Sequence, residues 1–135
     1  MADSPLGPFT ILPDPLLTEA SAEDPFLWYD AASQRFLAVF KGWTGQYTQS
    51  NGGLGLMESL DGTTWAMAAD PGVSLRELRW VDGTVTSLMN LERPHIYFGE
   101  CGRPTVLYAA AAEGDVFNAG APTFAVQIPL VGGCP

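Results

Sequence analysis

Hydrophobic residues fall in short runs rich in aromatic and β-branched side chains, at 26–29, 36–40, 54–57, 64–67, 95–98, 105–108 and 124–128. Runs this short predict strands rather than helices. Turn chemistry separates them, at 30–33, Asn51-Gly52-Gly53, Asp61-Gly62, Asp82-Gly83 and 100–102, where Gly, Asn and Asp supply the tight-turn conformations that hairpins need. Only 109–114 reads as a possible short helix, and a strand continuing into a loop explains it equally well. The 15 Gly and 11 Pro are scattered between the runs instead of clustering, as they do in all-β chains with many turns.

The pattern repeats. Glu23, Pro25, Leu27, Trp28 and Tyr29 match Glu92, Pro94, Ile96, Tyr97 and Phe98 without a gap, at an offset of 69 residues from 23 to 92. A repeat carrying about four strands fits a β-propeller blade, although common blade repeats run about 40–50 residues. The expected fold is therefore all-β, with about two four-stranded antiparallel blades in one partial propeller domain. The first occupies about 24–68 and the second about 92–130. The second lacks an outer strand, and the segment 8–12 of a neighbouring chain is the candidate to supply it. Propeller rings use about four to eight blades and leave no long open edge, so two blades predict self-association as a homodimer or homotrimer. The alternative expectation is a stretch of a longer gene.

Composition narrows the partners. With 135 residues and 47% hydrophobic content the chain can bury one core. A formal charge of −9 and a pI near 4.2 repel nucleic acid and anionic membrane but not a neutral glycan. Residues 1–17 lack both a basic segment and an unbroken apolar core, so no signal peptide is expected and the cytoplasm is the expected location. No run reaches membrane-spanning length. Cys101 and Cys134 can pair only if the fold brings them together; otherwise free thiols of a reducing compartment are expected.

Four segments carry a resemblance: Ser4-Pro5-Leu6-Gly7-Pro8-Phe9, Glu23-Asp24-Pro25-Phe26-Leu27-Trp28-Tyr29, Ser59-Leu60-Asp61-Gly62-Thr63-Thr64-Trp65 and Glu92-Arg93-Pro94-His95-Ile96-Tyr97. In order and spacing they resemble the five-bladed propeller glycosidases of the arabinanase and β-xylosidase type, glycoside hydrolase family 43 and its relatives. The resemblance covers nearly the whole chain but only about the middle of a family domain. It implies a glycoside hydrolase acting on neutral oligosaccharides, with Glu92 as the general acid and Asp24 as the carboxylate that orients and tunes it. Inverting hydrolysis needs two carboxyl groups about 6.5–9.5 Å apart. The family's general base sits on an earlier blade that has no counterpart here, and a second copy of Asp24 or Glu23 in a shared cavity is the candidate replacement. No cofactor is required, and a Ca²⁺ ion on the ring axis is implied by the resemblance alone. A carbohydrate-binding, lectin-like propeller without catalysis is the alternative.

The residues themselves leave several choices open. Asp24 is either catalytic or an acidic cap before Pro25. Glu92 is either the acid or half of a salt bridge with Arg93 or another arginine. Glu23, the repeat-equivalent of Glu92, competes with Asp24 for the cavity. Trp43 and Lys41, on a Gly-bracketed stretch, Arg93 and His95 are candidate sugar contacts, while a lone histidine on a strand is more commonly packed and hydrogen-bonded. Trp28 is a further candidate platform, yet Trp28 and Tyr29 alternate, so at least one belongs to the core. The stretch 59–65 resembles a shortened Asp-box, with Asp61-Gly62 making a turn and Trp65 packing between sheets. No zinc spacing, phosphate loop or nucleophile elbow is present.

Overall fold

The computed structural model describes residues 2, 4–18, 21–46, 48 and 51–132. Nine strands run through them: β1 (Ala22–Asp30), β2 (Arg35–Gly42), β3 (Gly53–Ser59), β4 (Trp65–Ser74), β5 (Glu77–Arg79), β6 (Val85–Ser87), β7 (Asn90–Phe98), β8 (Pro104–Ala112) and β9 (Phe124–Pro129). They form three antiparallel sheets in the orders β1-β2-β3-β4, β5-β6 and β7-β8-β9. The described residues contain no helix.

Each hairpin has a local cause. Between β1 and β2 the Asp30 carboxylate accepts the Ser33 amide at 2.8 Å, closing the turn. Between β3 and β4 the Asp61 carboxylate accepts the amides of Thr63 and Thr64 at 2.7 and 2.6 Å and the Thr64 hydroxyl at 3.0 Å. These bonds hold its pKa far below the usual carboxylate range. Gly62 takes the left-handed φ of 74° that the turn requires. Trp65 leaves that turn, donates to the Gly62 carbonyl at 3.1 Å and buries its ring beside Ala38, Phe40 and Met57.

Alternation places side chains. Along β1, Phe26 and Trp28 turn inward while Leu27 and Tyr29 face out, as the two-residue period of a strand dictates. Phe26 and Trp28 meet Phe98 of β7 at ring distances of 6.5 and 6.3 Å. The main core then runs through Val39 and Leu54 of the first sheet, Leu78 and Leu88 of the connecting segment, and Leu91, Ile96, Leu107 and Val126 of the last sheet. One apolar layer thus joins the two larger sheets.

Several sequence expectations need correction. The first sheet extends over 22–74 rather than 24–68, and the last over 90–129. The segment 109–114 is the end of β8 and its loop, because residues through Ala112 pair with β7 and residues 106–111 with β9. The segment 8–12, expected to pair with a neighbouring chain, forms no strand within its own, and Phe9 and Ile11 are exposed there. The hairpin β5-β6 was not anticipated as strands, since three-residue strands are too short to produce an apolar run. Cys101 is disulfide-bonded, not free. Cysteine pairing depends on tertiary placement, which spacing in the sequence does not report; Cys134 lies outside the described residues.

Candidate functional site

The sequence repeat has a structural counterpart at the start of β1 and β7. The β1-β2 ladder slips between Glu23 and Phe26, and the β7-β8 ladder slips between Glu92 and His95. Within these two bulges Asp24 and Arg93 take left-handed φ values of 51° and 52°. Pro25 and Pro94 follow them. A proline cannot donate to a ladder and is tolerated inside a sheet mainly where a bulge interrupts pairing. A left-handed residue other than glycine costs about 1–3 kcal/mol and persists only where surrounding packing enforces it, commonly beside functional groups.

Both bulges flank a glutamate, and the two glutamates meet. Glu23 stands opposite Lys41 of β2, while the equivalent Glu92 stands opposite Ala110 of β8. The second copy therefore has no lysine of its own. Lys41 serves both, its Nζ lying 2.9 Å from Glu23 Oε1 and 2.7 Å from Glu92 Oε1. The lysine side chain is 3% exposed and that of Glu92 12%. Asn90 Nδ2 donates to the same Glu92 oxygen at 2.8 Å, and Arg93 approaches the other oxygen at 3.4 Å from an exposed position. Trp43 hydrogen-bonds Glu23 through its side chain, and Lys41 Nζ sits 4.1 Å from the centre of its ring.

These contacts set the protonation states. Burial pushes the Glu92 carboxyl up, but the bonds from Lys41 and Asn90 and the charges of Lys41 and Arg93 outweigh it and hold the group below its usual value. Hydrogen bonds from Lys41 and then Trp43 hold Glu23 low as well. Burial pushes the Lys41 ammonium down, yet its two carboxylate partners outweigh that and raise it. The triad therefore carries two negative charges and one positive near neutral pH.

The expected site residues divide into those gathered at this point and those elsewhere. Glu92, Glu23, Lys41 and Trp43 come together, with Arg93 at the edge. Asp24 shares the β1 bulge, but the ion pairs of this group run from Lys41 to Glu23 and Glu92 and do not include it. His95 is exposed and packs edge-on against Phe26 at 4.3 Å. Trp28 is packed into the core with Phe26 and Phe98, its Nε1 buried without a partner, so it does not serve as an open platform. Among the described residues no three His, Cys, Asp or Glu side chains gather as metal ligands.

Beside Lys41 and Trp43 lies an open pocket of about 360 Å³, walled also by Asn51, Arg76, Asn90, Asp115, Phe117 and Asn118. None of the last six was a sequence candidate. The Asp115-Val116-Phe117-Asn118 stretch does carry a readable signal, an aromatic residue enclosed by turn-forming Asp and Asn. The chain matches no protein-family model, no curated protein and no solved structure.

Proposed function

We propose that this chain is a glycoside hydrolase-like protein, its two larger sheets acting as neighbouring propeller blades and its carboxylates facing a sugar-binding cavity. The observation that carries the proposal is the meeting of Glu23 and Glu92, repeat-equivalent residues on the first strands of successive sheets, at the single buried Lys41. First strands of successive blades converge in this way toward a propeller's axis. Trp43, about half exposed, supplies an aromatic face beside them, and sugars stack on such faces.

The glutamates take distinct parts. Their nearest oxygens both lie within 2.9 Å of one nitrogen, closer together than the about 6.5–9.5 Å that an inverting reaction leaves for water. Glu23 is thus a partner that orients and charges Glu92, and the water-activating base is Asp24 or a carboxylate of an adjoining copy. In hydrolysis Glu92 gives up its Lys41 contact, takes a proton from solvent and delivers it to the leaving oxygen as the glycosidic bond breaks, while the base takes the proton of the attacking water.

The second reading, carbohydrate binding without cleavage, is favoured by one observation: Lys41 holds Glu92 ionised, whereas a general acid is kept protonated by its surroundings. A panel of chromogenic glycosides assayed with wild type, Glu92→Gln and Asp24→Asn separates the two. Cleavage by wild type and its loss in Glu92→Gln supports the hydrolase. Retained glycan binding with no cleavage by any of the three supports the binding protein.

Self-association belongs to the same proposal. The last sheet has three strands where its counterpart has four, and β9 has no ladder partner on its outer side among the described residues. Beside it an apolar cavity of about 360 Å³ is lined by Val73, Leu78, Trp80, Val126, Ile128 and Leu130. A second copy fits this face, its segment 8–12 presenting Phe9 and Ile11 at strand spacing.

A further inference from the structure

Phe117 has no role in the core or in the carboxylate group, yet its position is tightly specified. It is 77% exposed, so its ring is open to contact from outside the chain. The loop beneath it is not loose. Asp115 Oδ1 accepts the amides of Phe117 and Asn118 at 2.9 Å each, and Asp115 Oδ2 accepts Asn118 Nδ2 at 2.8 Å. The Asp115 carbonyl further accepts the amides of Ala119 and Ala121 at 3.2 and 3.1 Å. One aspartate thus stitches a turn whose outward product is a phenyl ring on the wall of the pocket that Trp43 also lines.

The polar groups of that pocket select the ligand's chemistry. Lys41 is engaged by two carboxylates, Arg76 donates to the Met89 carbonyl at 2.8 Å, and Asp115 is committed to its turn. The other polar lining comes from the side-chain amides of Asn51, Asn90 and Asn118, of which Asn90 also donates to Glu92 and Asn118 to Asp115. Amides both donate and accept, matching hydroxyl groups, which do the same. The charged lining is Lys41, Arg76 and Asp115; the Lys41 charge is already matched by Glu23 and Glu92 and Asp115 offsets Arg76, so no uncompensated cation is left to draw an anionic ligand.

We infer that Trp43 and Phe117 are two aromatic walls of one subsite, adjoining the Lys41-Glu92 pair, that holds a neutral sugar ring of an oligosaccharide, and that Asp115 is the positioning residue for Phe117. This rests on the sugar-site reading above and adds to it the second wall and the class of ring. A pocket of this volume lies within the range of small-ligand sites.

Neutral arabino-, xylo- and gluco-oligosaccharides of increasing length, and an oligogalacturonate for comparison, are titrated into wild type, Trp43→Ala, Phe117→Ala and Phe117→Tyr. Tryptophan fluorescence and calorimetry report binding. The expected result is tighter binding of a neutral oligosaccharide than of the uronate, and a loss of about ten-fold in affinity for Phe117→Ala. Phe117→Tyr restores it, and the melting temperature of Phe117→Ala matches wild type. Binding that depends on Trp43 but not on Phe117 overturns the second wall while leaving the sugar site standing. Tighter binding of the uronate overturns the class of ring. No binding of any neutral oligosaccharide to wild type overturns both this inference and the reading on which it rests.

Discussion

Lys41 is almost wholly buried between two carboxylates and against the Trp43 ring, so its replacement leaves charge behind. Removing one partner of a buried ionic group costs about 3–5 kcal/mol, because the remaining charges lose compensation. Lys41→Met is expected to lose stability in that range at neutral pH, read from urea midpoints. The pH dependence has a definite sign. Glu23 and Glu92 have lowered pKa values in the fold, so their contribution is present above 4.5, the usual glutamate value, and is lost as pH falls through the lowered values. Lys41 is raised, so its contribution is present below its usual 10.5 and is lost as pH rises through the raised value. Thermal melts should therefore show a plateau between those limits. In Lys41→Met the Glu92 carboxyl keeps only Asn90 and Arg93 against burial, so acidification should destabilise the variant less than wild type; a variant whose acid limb matches wild type would contradict the triad. Glu23, Glu92 and Lys41 were all visible as candidates in the sequence, and the equivalence of the two glutamates was readable from the repeat. Their common partner was not, because Lys41 belongs to one copy only and a contact across sheets leaves no trace in spacing.

Strands longer than five residues were legible, since aromatic and β-branched runs punctuated by Asp-Gly and Asn-Gly turns allow few other arrangements. The bulges were not read as such, although each leaves a sign: a proline inside an apolar run forces the ladder to slip. Of the β5-β6 hairpin only the Asp82-Gly83 turn was legible, because its strands are shorter than the period-two pattern needs. Within the first sheet, one glycine shows what cross-strand packing demands. Gly55 of β3 stands opposite Phe40 of β2, and a Cβ at 55 would come within 2.6 Å of the Phe40 ring tip. Phe40 is 1% exposed and has nowhere to retreat. Overpacking of this kind costs about 1–3 kcal/mol. Gly55→Ala should lose that much in denaturant unfolding, and Gly55→Ala combined with Phe40→Leu should lose less than the sum of the two single changes.

At the scale of the molecule, the four-stranded and three-stranded sheets pack through one apolar layer, while β9 keeps an outer edge beside the cavity lined by Trp80 and Ile128. Self-association through that edge predicts a scattering mass that is a multiple of 14.4 kDa. Replacing Phe9 and Ile11 by lysine should return the monomer, because neither exposed side chain supports the chain's own core. A wild type that stays monomeric at high concentration would refute the shared edge. The arrangement of the two sheets was legible only as a count of strands; their contact depends on which faces Leu54, Leu91 and Leu107 occupy, and alternation alone does not say which apolar faces meet.

The unequal repeat has a consequence for any attempt to divide the chain. A cut anywhere between Ser74 and Asn90 would give a first piece holding Lys41 with Glu23 and a second holding Glu92 with Ala110 opposite it. The first piece would keep a matched cation and anion. The second would carry an inward-facing carboxylate and exposed Leu91 and Leu107 faces, with no cation to receive the one and no sheet to cover the other. Two such pieces are complementary in shape at the shared apolar layer, and reassembly from separately produced halves would restore to Glu92 the nitrogen that now bridges them.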